Sequence, residues 1–308
     1  MYLVIVFLYI WVVEMSEILN KQNLDDNLRL LAAQRQSYNE AKFYRTSYRF
    51  LMLIPFLISF FVLNSYIDAT DQYSVFRFII DFFILILGGF LTYKSSQYQL
   101  LGATIQQKFD TRIFSLPFEW KIKQDQTVIE SLYCKHKKDE NIEKLRNWYT
   151  DELKNLVYPK DILAAQKQNL FWSDSVRKEY IFFNILIFIV FLIVSIYMFF
   201  AYNDYVLWKK LYEVLVLFLA FYFFLGQNII QNIRTIQLLN KANDKFNELK
   251  SHIIDSSDQN CSSRMLSDIQ HAIFEYRKKG VSVPNHYDRI RKFKMEASSR
   301  RIIKDLFK

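Results

Sequence analysis

Three stretches of the chain set arginine beside aromatic rings: Arg112 with Phe114 and Phe118, Arg146 with Trp148 and Tyr149, and Trp172 with Arg177 and Lys178. A guanidinium fork grips phosphate oxygens two at a time, and an aromatic ring stacks on a base, so this mix suits a nucleotide. Arg112, Arg146, Trp148, Tyr149, Trp172 and Arg177 are therefore the candidate ligand-binding residues. The competing use is ordinary: aromatics that pack a small helical core, with arginines at its edge.

Other chemistries find little to work with. The sequence holds no Walker motif, no phosphate-cradling glycine loop, no His-Glu-x-x-His and no nucleophile beside a base at a Gly-rich turn. His136, His252, His271 and His286 are scattered. Cys134 and His136 lack a second Cys/His pair at ligand spacing, so no metal site is expected. These absences point away from an enzyme and from any cofactor. Cys134 and Cys261 both fall in segments read as cytoplasmic, where thiols stay reduced and free.

The elements that must position these residues are helices. Five Gly and four Pro in 308 residues leave few breaks. Four apolar segments approach the roughly 20 residues that a helix needs to cross a bilayer. They run over 50–67, 75–93, 180–202 and 206–228, and the short links between them make two hairpins, 50–93 and 180–228. Of 40 basic residues, six lie in 16–49, fifteen in 94–179 and sixteen in 231–308. That bias puts the N-terminal segment, the central region and the tail in the cytoplasm. It also accounts for the net charge of +9 without a DNA or RNA duplex as partner.

Within the spans, Arg77, Asp81, Asn184 and Glu213 are the candidate pore or intramembrane polar residues. Ionisable groups in lipid are costly and turn toward a neighbour or water. Arg77 and Asp81, four apart, either line an aqueous path or form a local pair near the outer surface. Asn184 and Ser195 suit bonds to helices, and Pro55 and Gly88-Gly89 suit a kink, a hinge or close packing.

The expected organisation is a cytosolic N-terminal helix over 15–49, a central helical region over 94–179 and a helical tail over 229–308. Leu24, Leu28 and Leu31 form an apolar stripe before Ala32 and Ala33, and Pro159 with Asp161 marks a helix start. Ile236, Leu239, Phe246, Leu249 and Ile253 form a seam that carries the fourth helix beyond the membrane. Asp255 to Ser263 is a polar break, and a last helix covers Met265 to Lys279. Residues 1–14 are apolar but too few to span. They read as an upstream extension before a start at Met15, with a short interfacial anchor as the alternative.

Several stretches resemble one family. They are Asn23 to Lys42, especially Leu31 to Tyr38; Gln106 to Pro117; Asn147-Trp148-Tyr149; and Gln168 to Asp174. Leu266 to Arg291, with Asp268-Ile269-Gln270 and Val283-Pro284, adds a fifth; Asn285-His286 departs from the acidic-aromatic pair expected there. In this order they resemble the S-4TM effectors, four-span proteins associated with bacterial second-messenger synthases and described as pore formers. The resemblance implies an effector of cyclic-oligonucleotide anti-phage (CBASS) signalling in the bacterial inner membrane. A neighbouring nucleotidyltransferase would supply the cyclic oligonucleotide. The chain would oligomerise with its own copies and permeabilise the membrane.

The fold expected is thus an all-α membrane protein, four transmembrane helices in two hairpins with a helical cytosolic domain. The alternative function is a membrane-anchored scaffold or sensor that recruits partners without forming a pore. A small transporter is disfavoured by the uncharged third span.

Overall fold

The computed structural model describes residues 17–63, 71–117, 126–139, 142–201, 207–255, 259–281 and 283–307. Residues 1–14 with Met15, the hairpin links at 64–70 and 202–206, Phe118, and the side chains of Arg77, Glu213 and Cys261 lie outside this description.

Every regular element among the described residues is helical. Short α1 (Glu17–Lys21) precedes α2 (Asp25–Leu63) and α3 (Asp71–Phe114). Then come α4 (Gln126–Asp139) and 3-10 turns at Ile142–Leu145 and Asp151–Asn155. The chain ends with α5 (Lys160–Ala201), α6 (Leu207–Asp255), α7 (Gln259–Lys279) and α8 (Asn285–Asp305). The start of α5 at Lys160 follows Pro159, as the sequence signals.

Four of these helices are far longer than a bilayer requires. They run to 39, 44, 42 and 49 residues in α2, α3, α5 and α6. At about 1.5 Å per residue, the shortest reaches nearly twice the ~30 Å hydrocarbon thickness. Each expected boundary between cytosolic and membrane segments therefore falls inside one unbroken helix, and α2 passes through Pro55 without ending.

The two ends of these helices differ in what covers them. Phe78, Phe83 and Leu85 of α3 and Phe182, Tyr197 and Phe200 of α5 stand exposed, several above 65%. So large an apolar surface is not stable against water and calls for lipid. Among the described residues two helices, α3 and α5, carry stretches long and apolar enough to cross a membrane. The first and fourth expected spans run partly outside the described residues. Between these stretches, Phe221, Phe224 and Leu225 of α6 pack with Tyr48, Met52 and Leu53 of α2 and with Ile187, Phe188 and Phe191 of α5. Gly88 lets α3 approach α2, since a Cβ there would lie 2.9 Å from the Tyr48 ring; at Gly89 the space is open.

The other end is a polar-coated helical body with a conventional core. Leu31, Ala32 and Ala33 of α2 share one core with Ile105 and Phe109 of α3, Leu163 of α5 and Ile269 of α7. Leu24 is the exception in its stripe: at 54% exposure it lies outside the core, before α2 begins. The seam on α6 is buried at Leu239, Phe246 and Leu249, and α5 and α7 of the same chain both pack against α6. The polar break is shorter than expected, because α7 begins at Gln259, and the tail holds a further helix, α8. That helix is weakly apolar, and it packs through Met295, Ile303 and Leu306, spaced eight and three apart.

Candidate functional site

The motifs that are far apart in sequence meet inside the body. Arg277 of α7 donates to Asp110 of α3 at 2.6 Å, and both side chains are almost wholly buried. The Tyr149 hydroxyl donates to the other Asp110 oxygen at 2.9 Å, and Gln270 reaches Asp110 at 3.2 Å. Asn169 of α5 donates in turn to the Tyr149 oxygen at 2.9 Å. Three helices and one turn are thus tied to a single carboxylate. A buried ion pair survives only when its remaining lone pairs are satisfied, and here they are.

The approach of Tyr149 is built locally. Asn147 takes the left-handed backbone conformation, with φ of 54°, which asparagine tolerates. Its N–H donates to the Asn23 side chain at 3.0 Å, and the Tyr149 N–H to Gln22 at 2.8 Å. Gln168 donates to the Trp148 carbonyl and accepts from the Thr150 N–H. The Asn147-Trp-Tyr and Gln168-Asn169 stretches are therefore two halves of one clasp. Burial first and Asp110 second push the Tyr149 phenol well above its ordinary value. For Arg277 burial alone would lower the value, but Asp110 and the nearby tyrosines raise it, so it stays protonated.

Beside this network lies a cleft of about 690 Å³. It opens between α2, α3, α6 and the turn that joins α7 to α8. Among the described residues five cations line it, Arg45, Arg234, Lys241, Lys278 and Lys279, and no carboxylate does. Ser95, Gln99, Thr235 and Gly280 are buried at its base, while Arg234, Lys241, Lys278 and Lys279 are exposed around it. Arg45 donates to Asn228 at 2.7 Å and Gln231 at 2.8 Å, neutral partners that leave its charge uncompensated. Burial, with Arg49 nearby, pushes the Arg45 guanidinium down to about 10, so it is still charged at neutral pH. Lys278 and Lys279 share Glu275. Arg234 and Lys241 have no ion-pair partner among the described residues.

The cleft and the network share a wall. Gln99 donates to the Arg277 carbonyl at 2.8 Å, and Lys278 and Lys279 follow Arg277 in the chain. Behind the turn, Arg177 donates to Asn232 at 3.1 Å and to the Val281 carbonyl at 2.8 Å. Gly280 fits because it has no side chain: a Cβ would come within 2.5 Å of the Tyr276 carbonyl oxygen and 2.9 Å of Arg177.

The six candidates from sequence are divided between places. Arg112 pairs with Asp26 at 3.0 Å, and Arg146 pairs with Glu143 at 2.6 Å while reaching the Asn23 carbonyl; both are exposed near the start of α2. Trp148 packs at the edge of the main core and Tyr149 inside it. Trp172 packs on Val176, Tyr180, Val283 and Met295. Of the six, Arg177 alone touches the cleft wall. Among the intramembrane candidates, Asn184 is buried and donates to the Tyr180 carbonyl of its own helix at 2.6 Å. Asp81 is half-buried. Ser195 bonds across helices to Tyr222. Cys134 is a free, exposed thiol. No group of three metal-ligating side chains occurs among the described residues.

The sequence reading passed over Arg45, Arg234, Lys241, Lys278 and Lys279. Each lies within a few turns of an apolar segment or in a helix end, so each was absorbed into the orientation charge.

Comparison with known proteins places this architecture. Residues 16–306 match the SMODS-associating 4TM effector domain. The chain is 28% identical over 293 residues to a probable CBASS effector molecule of Bacillus cereus strain VD146, an alignment covering 86% of this chain and 90% of the relative. No solved structure matches. With nearly its whole length inside the match, the chain belongs to the SMODS-associating 4TM effector family.

Proposed function

We propose that the chain is a membrane effector of bacterial anti-phage defence, switched on by a cyclic oligonucleotide to oligomerise and permeabilise the inner membrane. On this reading it crosses the membrane four times, keeps its helical body in the cytoplasm and turns over no substrate. One observation carries the reading: α3 and α5 each run unbroken from the buried body into a lipid-seeking stretch. A shift in the body therefore moves the membrane part as a lever, because a continuous helix has no joint at which to dissipate it. The probable CBASS role of the relative supports the signal, and the carboxylate-free cationic cleft suits an anionic one. One protomer with few intramembrane charges is too narrow for a wide aqueous path, which is why conduction calls for several chains.

The test is in cells. The full chain is expressed with and without a synthase that makes cyclic oligonucleotides, and propidium uptake and membrane potential are followed. Uptake that depends on both genes supports the effector. Intact membranes in every combination, with partner proteins retained on the body, would instead favour a scaffold that forms no pore.

A further inference from the structure

We propose that the cleft between α2, α3, α6 and the α7–α8 turn is a binding site for a phosphodiester-bearing ligand that also carries hydroxyl or amine donors. In its soluble form this assignment rests on the effector reading above and names the site through which that effector is addressed.

The site is built for an anion in a way that orientation charge alone does not require. Arg45, Arg234, Lys241, Lys278 and Lys279 come from three separate helices, two of them near the ends of apolar segments, and converge with no carboxylate among the described lining residues. Like charges held this close repel unless something neutralises them. On the same body Arg112 is paired with Asp26 and Lys135 with Glu40. Arg234 and Lys241 have no ion-pair partner among the described residues.

Two polar atoms at the cleft add a second, independent sign. Arg45 Nε and Gln99 Oε1 are buried and lack a hydrogen-bond partner. Buried polar groups are nearly always paired, so two unpaired ones among the lining residues mark a place for a ligand to bond. One is a donor and the other an acceptor. A phosphate oxygen satisfies the first; only a hydroxyl or amine satisfies the second. A phosphodiester carrying sugar or base offers both, and so does a phospholipid headgroup with a glycerol or amine. The volume, about 690 Å³, lies within the roughly 300–1,000 Å³ of small-molecule sites.

Position leaves the same chemistry two sources. Thr92 lines the cleft one residue before the end of the second apolar segment at Tyr93, which on the four-span reading puts the cleft level with the polar edge of a bilayer. A cyclic oligonucleotide would enter from the cytoplasm, an anionic headgroup from the membrane.

The experiment uses the full chain in nanodiscs of phosphatidylcholine, with or without phosphatidylglycerol. Cyclic di-AMP, cyclic di-GMP and cyclic tri-AMP are titrated against the wild type, R234Q/K241Q and the control K137Q, whose lysine is exposed on α4. Both cleft substitutions are at exposed positions, and melting curves verify that each variant is folded. The expected result is binding of at least one cyclic probe, weakened about tenfold or more in R234Q/K241Q and unchanged in K137Q. If no cyclic probe binds but phosphatidylglycerol raises the melting temperature of wild type and not of R234Q/K241Q, the site holds a lipid, and the soluble source is overturned. If a cyclic probe binds wild type and R234Q/K241Q equally, the cleft is wrong while the effector reading stands. If neither cyclic probe nor lipid distinguishes the variants, the assignment falls.

Discussion

Arg277 donates to Asp110 at 2.6 Å in the interior of the helical body, and Lys278 and Lys279, the next two residues, line the cationic cleft. One turn of α7 thus faces the core with its charge and the cleft with the two that follow. Any movement of the α7–α8 turn is felt at the pair that ties α3 to α7.

That pair makes the first prediction. Asp110→Ala leaves Arg277 buried without its counter-charge and should cost about 3–5 kcal/mol of stability. The double variant D110A/R277M removes both charges and should recover much of the loss. Recovery is incomplete, because Tyr149 and Gln270 still lose their acceptor. Melting temperatures of the two variants in one detergent check the order; a double variant no better than D110A would show that the pair is not the linkage.

Gly280→Ala is the second. Its Cβ would fall 2.5 Å from the Tyr276 carbonyl oxygen, a backbone atom that cannot turn aside. The turn must shift, and Arg177 loses its hold on the Val281 carbonyl. Ligand affinity should drop severalfold and the melting temperature should fall, whereas Gly89→Ala, facing open space, should be silent in both.

Much of this architecture is legible in the sequence, and the reasons are local. Lys160 begins α5 because Pro159 and Asp161 stand at its start, and Leu239, Phe246 and Leu249 are buried because their spacing keeps them on one face. Helix α8 escaped notice because Met295, Ile303 and Leu306 are too few for a clear apolar stripe. The cleft escaped for a different reason. Arg45 and Lys241 are nearly two hundred positions apart and meet only through the packing of α2 on α6, which no single segment encodes. Tyr149 shows the converse. Its place beside Arg146 and Trp148 suggested stacking, but its ring packs against Phe114 with centroids 5.6 Å apart, and its hydroxyl is committed to Asp110.

Orientation gives the third prediction. Cys134 is free and exposed on α4, so it reports where the body lies. In a C261S background, an impermeant maleimide should leave Cys134 unlabelled in intact spheroplasts and label it after permeabilisation. Labelling before permeabilisation would put the body outside the cell.

The pH dependence of anion binding is the fourth. Arg45 holds a value of about 10, depressed by burial and by Arg49. Its charge is therefore present below that value and lost as pH rises through it. No histidine is among the described residues that line the cleft, so affinity should stay flat around neutrality and fall only toward pH 10. A midpoint near 6.5, the ordinary histidine value, would place the site elsewhere.

Dye release from liposomes tests the central claim most directly. Purified full chain is reconstituted with carboxyfluorescein inside phosphatidylcholine vesicles, and a cyclic oligonucleotide that binds it is added outside. The account predicts release that rises with ligand, is lost in R234Q/K241Q and is retained in K137Q. Vesicles that stay sealed with ligand bound, or that leak equally without it, would contradict the account.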